Sequence, residues 1–370
     1  MEKRKFGKTG LETSLLGIGG FHLVEIPSSE AEYLLNRYLD EGGNYIETAA
    51  SYGDGESEMK IGRVVQSRRS ECILATKSEK RDKQGCMDSV ERSLKYLNTD
   101  HVDLLIMHGV GRLEELDAIL GPGGAMEGVH RLQKDGKVRF VGISMHGQAD
   151  VLIESLKRYP FDAVMTTINY YDRFNFPEIE DVLLPLALKN QTAIILMKPL
   201  ADGLLWRSAP QAFRYAMSRP VSVVVTGANN REMLKQDLQY ANNFKPLTPA
   251  EIQDIYENAI ELGNYVCRQC GKCLPCPENI PIPEIFLYEG YYDRQMANGV
   301  VTDPADYALR ERLRFWFGND KLAREKYQKL KVKADKCTKC GVCISRCPYG
   351  LDIVKKLEIA DYKLAGKKIF

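Results

Sequence analysis

Eight of the ten cysteines lie beyond residue 266, in two runs: Cys267, Cys270, Cys273 and Cys276 in CRQCGKCLPCP, and Cys337, Cys340, Cys343 and Cys347 in CTKCGVCISRCP. The second run has the spacing in which three thiolates converge on one iron-sulfur cube while the fourth, ahead of a proline, points to another cluster. The first run repeats the triplet but leaves only two residues before Cys276, so the cluster using that residue is expected to be the unusual one. Eight soft thiolates in two complementary runs predict two 4Fe-4S clusters. Each triplet can take its fourth ligand from the other run or from its own, with the same cofactors either way. Zinc is the alternative, but it is commonly held by two CxxC pairs ~15–20 residues apart, and triplets closed by Cys-Pro are not that pattern. Cys72 and Cys86, in a strand and at a helix start, read as packed or surface residues.

A second constellation lies nearer the start. Glu47, Lys77 and His108 each end a short apolar run, and Tyr52 follows in the loop YGDGESE. A carboxylate, a phenol, an amine and an imidazole together suit proton donation to a carbonyl that is receiving hydride. An isolated phenol, with a pKa near ~10, is a reluctant acid, and a neighbouring ammonium eases its proton loss. Lys77 can supply that charge, Glu47 can keep Lys77 protonated, and His108 can orient the substrate oxygen or relay the proton. Taken singly, a lysine at a strand end is ordinarily a solvated rim residue, and a tyrosine in a Gly-rich loop is ordinarily turn packing. Four such groups reaching one place would make a site.

What must bring them together is a set of repeated strand and helix units. LLGIGG, YIETA, CILATK, VDLLIM, VRFVGIS, DAVMTTIN, AIILMK and VSVVVTG, starting at Leu15, Tyr45, Cys72, Val102, Val138, Asp162, Ala193 and Val221, are each followed by helix-like sequence. Their nearly unbroken apolar character fits parallel strands buried on both faces, and eight of them predict an α/β fold, a TIM-type (β/α)8 barrel. A doubly wound open sheet is the rival. In a barrel, strand ends and the loops after them form one mouth, so the four groups would share it. Gly7 and Gly10 predict a hairpin closing the barrel floor.

After Pro246, LTPAEIQDIYENAIELG predicts a helix capped by Thr248, with Pro249 in its first turn and Gly263 at its end. IPEIFLYEGYYDRQMANG and DPADYALRERLRFWFG predict two more between the cysteine runs. The organisation expected is a barrel over residues 1–262 and a small, mainly helical, ferredoxin-like domain over 263–370.

Residues 1–245 resemble the aldo-keto reductase family, through RKFGKTGLETSLLGIGG, YIETAASYGDGESEMKIG, LATK, LLIMHGV, FVGIS, MKPLADGLL and VVVTGANN in that order. The whole chain is similar to the subgroup that carries a ferredoxin-like C-terminal extension. The resemblance implies a catalytic tetrad of Asp, Tyr, Lys and His, which falls here on Glu47, Tyr52, Lys77 and His108. Only the Asp departs, and Glu adds a methylene. It also implies a nicotinamide dinucleotide bound across the strand ends without a GxGxxG turn, and no such turn stands at a strand-helix junction here. By the same resemblance Ser144 and Asn169 hold the carboxamide, Lys198, Pro199, Leu200 and the chain to Gly203 wrap the pyrophosphate, and Gly227, Ala228, Asn229 and Asn230 take the adenosine side. Met233 stands where many members carry the Arg for a 2′-phosphate, with Arg231 nearby, so NADP and NAD both remain open. Arg231 can grip phosphate or serve as an ordinary exposed helix-start residue.

The expected function is therefore an oxidoreductase interconverting a carbonyl and an alcohol with NADP or NAD, its two clusters serving electron transfer or structure. The rival is an iron-sulfur electron-transfer protein whose barrel binds a substrate or a partner. Nicotinamide moves two electrons and each cluster one, so coupling them calls for a flavin or a radical-tolerant substrate, and no flavin signature stands out. Partners expected are a small carbonyl or alcohol and a redox protein. With 51 basic and 50 acidic residues there is no field to attract nucleic acid or membrane. Neither an apolar leader stretch nor a spanning run is present, which predicts a cytoplasmic protein. His22 could line the pocket, His101 and His130 read as surface residues, and His146 is assigned no role.

Overall fold

The computed structural model describes residues 1–294 and 320–366. The expected helix DPADYALRERLRFWFG and the last residues of IPEIFLYEGYYDRQMANG lie outside that range, as do the last four residues of the chain. Among the described residues ten strands form: β1 Lys3–Lys5, β2 Glu12–Ser14, β3 Leu16–Gly19, β4 Tyr45–Glu47, β5 Ile73–Ser78, β6 Val102–Met107, β7 Val138–Ser144, β8 Ala163–Thr167, β9 Ala193–Met197 and β10 Val223–Thr226. Strands β3 to β10 are the eight apolar runs. They pair in parallel, each with the next, and β10 returns to β3 to close a barrel, so the open-sheet rival is excluded. Closure removes both sheet edges and leaves no backbone row to protect.

The unbroken apolar character of the strands follows from their place. Seven of the eight are buried at every residue, and only β7 shows partly exposed positions near its start. Alternate side chains fill the barrel interior, where Tyr45, Leu104, Met165, Ile195 and Val223 join one cluster. Phe6 completes this cluster from the hairpin of β1 and β2, which pairs Lys3 with Ser14 and Lys5 with Glu12. Gly7 makes that approach possible. Its φ is +56°, and a Cβ there would stand 2.6 Å from the Ala193 nitrogen and the Gln191 oxygen.

The chain divides into two compact units. The first holds residues 1–169 and 178–246; the second holds residues 170–177 and, among those described, 247–294 and 320–366. The helix Pro249–Asn258 therefore groups with the second unit, although the sequence placed it ahead of a boundary at 262.

The second unit is mainly helical, with Pro249–Asn258, Ile282–Asp293, Asp320–Gln328 and Ile353–Leu364 as its longer helices. Thr248 and Glu251 form the capping box expected of the first, Pro249 occupying its first turn. The helix stops at Asn258 rather than at Gly263, because Ala259 turns to φ −59°, ψ 125° and Arg268 takes the carbonyls of Tyr256 and Leu262. A buried ion pair ties Arg294 to both oxygens of Asp172, at 2.8 and 3.0 Å. Tyr327 donates to Asp361 at 2.6 Å and accepts from the Ala334 N–H, fixing the approach to the second cysteine run.

Candidate functional site

The mouth of the barrel is built where parallel strands run out of partners. Glu47 is the last residue of β4 and Lys77 the penultimate residue of β5; both are almost fully buried, Glu47 at 3% and Lys77 at 2% exposed. The Lys77 ammonium contacts the Glu47 carboxylate, donates to the Thr48 carbonyl at 2.8 Å and donates to the Tyr52 phenol oxygen at 3.2 Å. Burial pulls that ammonium well below the usual lysine range, and the touching Glu47 carboxylate opposes the pull. The longer glutamate thus reaches the lysine, and the extra methylene does not separate them.

His108 follows β6, and its ring meets the Tyr52 ring edge-on with centroids 5.8 Å apart. Phe21 also packs edge-on against Tyr52, at 5.2 Å. The loop carrying Phe21 and His22 is stitched down by buried Lys60, which donates to the carbonyls of Leu23 at 2.9 Å and Ile26 at 2.7 Å. The four groups expected to share the mouth do share it.

Two further groups stand there that the sequence left without a role. Glu79 lies 3.3 Å from Nδ1 of His108, and that imidazole is the main reason its carboxyl is held down at about 2. Burial lowers His108 itself, and Glu79 pulls the other way. His146, two residues past β7, is pushed well below the ordinary histidine range by burial, with the Lys198, His108 and Lys77 charges acting in the same sense. Both residues sit just beyond strand ends, so the rule that pointed to Lys77 and His108 would have found them.

Ser144 ends β7 and is anchored, donating to the Met107 carbonyl and accepting from the Gly109 N–H at 3.2 Å each. Asn169 donates to the Lys198 carbonyl at 3.2 Å, linking two neighbouring strand ends. After β9 the segment Lys198–Gly203 coils tightly. Lys198, Ala201, Asp202 and Gly203 all have positive φ, and Lys198 pairs with Asp202 at 2.9 Å. Within this coil the Ala201 and Gly203 N–H groups donate to the carbonyls of Lys198 and Leu200 at 3.0 Å each, and Pro199 has no N–H.

After β10, Gly227 lies so close to His22 that a Cβ would stand 2.5 Å from the ring, while Ala228 is buried. Asn229 donates to Glu25 at 3.1 Å, the carboxylate that also holds His22 at 2.9 Å, and Asn230 caps the next helix through the Met233 N–H. Arg231 departs from these. It is drawn away to Glu30, with three contacts of 2.9 to 3.2 Å, and lies over the Tyr33 ring at 3.7 Å. Of the remaining histidines, His101 pairs with Asp100, and His130 is exposed and bonded to Tyr159.

In the second unit the two cysteine runs fold back on each other. Burial pushes the Cys267 thiol up to about 11, and the cysteines beside it are Cys270 and Cys347. Cys273 has Cys267, Cys270 and Cys343 around it. Cys343 has Cys337, Cys340 and Cys276, and these four join Cys273 in lining one cleft with Pro275, Ile282 and Leu357. Each triplet therefore has the fourth cysteine of the other run at its side. Among the described residues no three His, Cys, Asp or Glu side chains are gathered as around a single metal ion. Cys72 and Cys86 are buried in the first unit, away from these groups in sequence and surroundings.

A closed eight-stranded barrel with ionisable side chains at the strand ends, followed by a helical unit with eight cysteines, marks a barrel oxidoreductase with an iron-sulfur module. More particularly, the chain belongs to the aldo/keto reductase family, whose model matches residues 15–211, and residues 266–352 match the 4Fe-4S dicluster domain. The Bacillus subtilis uncharacterized oxidoreductase YqkF is 28% identical over 316 residues, 70% of this chain and 99% of that protein. The aldo-keto reductase YhdN of the same organism is 28% identical, over 55% of this chain and 64% of its own length. Among solved structures, the holo form of an aldo-keto reductase from Bacillus halodurans superposes with a TM-score of 0.61 at 26% identity, covering 69% of this chain and 95% of that one. Among the described residues no helix is long and apolar enough to cross a membrane.

Proposed function

We propose that this protein interconverts a small carbonyl compound and the corresponding alcohol, using a nicotinamide dinucleotide bound across the barrel mouth. The observation that carries the reading is the placement of the buried Lys77 ammonium between the Glu47 carboxylate and the Tyr52 phenol. When bound, the nicotinamide supplies the hydride. The residues fit such a ligand: Ser144 and Asn169 are polar groups anchored at neighbouring strand ends, and Lys198, just past the next strand and paired with Asp202, brings an ammonium that suits a pyrophosphate.

Tyr52 is the acid in reduction and the base in oxidation. As its phenol proton leaves for the substrate oxygen, the negative charge forms 3.2 Å from a cation in a nearly dry site, where electrostatic stabilisation is strong. Glu47 keeps that cation protonated, and its contact with Lys77 favours catalysis over the rival in which the barrel only binds a substrate or a partner. His108, held against Glu79, orients the substrate oxygen from the far side of the Tyr52 ring.

The eight cysteines of the second unit hold two 4Fe-4S clusters in this reading, one on Cys267, Cys270, Cys273 and Cys347 and the other on Cys337, Cys340, Cys343 and Cys276. The soft thiolate donor set suits them, and so do the neighbours each triplet has. The clusters pass electrons to or from a redox protein. The decisive test of the barrel chemistry is Tyr52→Phe. Loss of NAD(P)H-dependent carbonyl turnover by at least ~100-fold is expected, and undiminished turnover in a cluster-loaded protein would sink the assignment.

A further inference from the structure

The two cysteine runs share a backbone and carry two basic residues each, Arg268 and Lys272 in the first and Lys339 and Arg346 in the second, but of these four only Arg268 is buried. Gln269 and Gly271 in the first have φ of 54° and 70°, and Lys339 and Gly341 in the second have 58° and 77°. The two triplets therefore correspond residue by residue, and the position after the leading cysteine is Arg268 in one and Thr338 in the other. Thr338 is exposed, whereas Arg268 is 7% exposed.

The Arg268 guanidinium is hydrogen-bonded through Nε and Nη1 yet not neutralised. It donates to the carbonyls of Tyr256 at 3.3 Å, Leu262 at 3.1 Å and Val266 at 2.5 Å, and it lies over the Tyr349 ring at 4.8 Å. No ion pair joins it to a carboxylate among the described residues. The ionisable groups beside it are Tyr349 and two thiols, Cys267 and Cys347, one from each run. The other buried cation near Cys267 is Lys356, and it is balanced: Glu289 lies 2.5 Å from it, and Lys363 joins Glu289 and Asp293 at 3.0 and 2.7 Å.

A guanidinium keeps its proton under all ordinary conditions, and an unpaired buried charge is costly. What offsets the cost here is the thiolate set itself. A cube held by four thiolates is anionic and becomes more so on reduction, so a fixed cation beside it stabilises the reduced form more than the oxidised one.

We propose that Arg268 is the counter-charge of the cluster on Cys267, Cys270, Cys273 and Cys347, and that it makes this cluster the first of the two to be reduced. The inference rests on the two-cluster reading with exchanged fourth ligands. One electron enters the cube of the first run with no bond made or broken, and the second cube follows at lower potential.

The test is an EPR-monitored redox titration of the full cluster-loaded chain, with dithionite as the electron donor. Iron and acid-labile sulfide near eight of each per chain check the two-cluster reading separately. The wild-type chain should show two resolved one-electron steps. Arg268→Gln should move the higher step down toward the lower one and leave the lower in place, whereas Arg268→Lys should keep the higher step near its original position. A merely structural role for Arg268 would move neither potential selectively. A single unresolved step in the wild type overturns the proposal, and so does an Arg268→Gln chain in which both steps stay put or shift equally. Where Arg268→Gln does not assemble its clusters, Cys347→Ser decides: the signal of the cluster reduced first should change, and a change confined to the cluster reduced second overturns the proposal.

Discussion

The ammonium of Lys77 lies 3.2 Å from the phenol oxygen of Tyr52, and the same ammonium touches the carboxylate of Glu47. The three residues come from two neighbouring strand ends and one loop, and only Tyr52 opens toward solvent. Replacing Lys77 by Met removes the cation while keeping much of the apolar stem. Carbonyl turnover should fall by ~100-fold or more, and the rate that remains should rise toward high pH in the oxidation direction as Tyr52 is left to ionise unaided. A Lys77→Met enzyme with an unchanged pH profile would mean that Tyr52 does not depend on this charge.

Asp237 supplies a stability prediction. It is buried on the helix after β10 and hydrogen-bonded to Thr226 at 2.9 Å, and burial pushes its carboxyl from 3.8 up to about 7. The folded protein therefore holds a proton that the unfolded chain gives up. Stability from this group is greatest below about pH 4 and declines as pH rises from there through about 7. The cost at pH 8 is on the order of a few kcal/mol. Asp237→Asn should raise the thermal midpoint at pH 8 and change it little at pH 4. Equal shifts at both pH values would show that the carboxyl is not protonated in the fold.

Arg231, two residues from the expected 2′-phosphate position, is occupied by Glu30 and Tyr33. A 2′-phosphate would have to displace a carboxylate and then tolerate it as a neighbour, whereas a ribose 2′-hydroxyl would not. NADH is thus expected to bind more tightly than NADPH. Glu30→Gln should free Arg231 and improve NADPH binding by ~10-fold, the scale of one charge-assisted contact. Nucleotide fluorescence titrations decide the matter, and stronger NADPH binding by the wild type would reverse it.

The exchange of fourth ligands can be read from iron content. Cys276→Ala combined with Cys340→Ala should damage one cluster twice and leave about four irons per chain, whereas Cys276→Ala with Cys270→Ala should damage both clusters. The opposite pattern would return each fourth cysteine to its own run. Cys72→Ala and Cys86→Ala should leave the iron content unchanged, since both side chains are buried in the first unit.

Much of this molecule is legible in residue types and spacing alone. Eight apolar runs mean eight strands buried on both faces. Cysteines three apart bring their thiols together whatever else the chain does, because a tight turn sets their geometry locally. Glu47, Lys77 and His108 are legible for a related reason: each lies where a strand ends, and a closed barrel turns all strand ends into one rim.

What the sequence could not carry is the identity of partners far apart in the chain. Arg231 could equally have served a phosphate, and only barrel closure brings Glu30 to it across 201 residues. Glu79 acquires meaning from His108 on the next strand, and Gly263 loses the helix end it was expected to mark because Arg268 claims carbonyls there. Spacing along the chain determines local backbone geometry, so it determined the strands, the cysteine triplets and the strand-end groups. The partner of each buried charge is chosen by desolvation and packing, which act across the fold, and only the tertiary structure decided those.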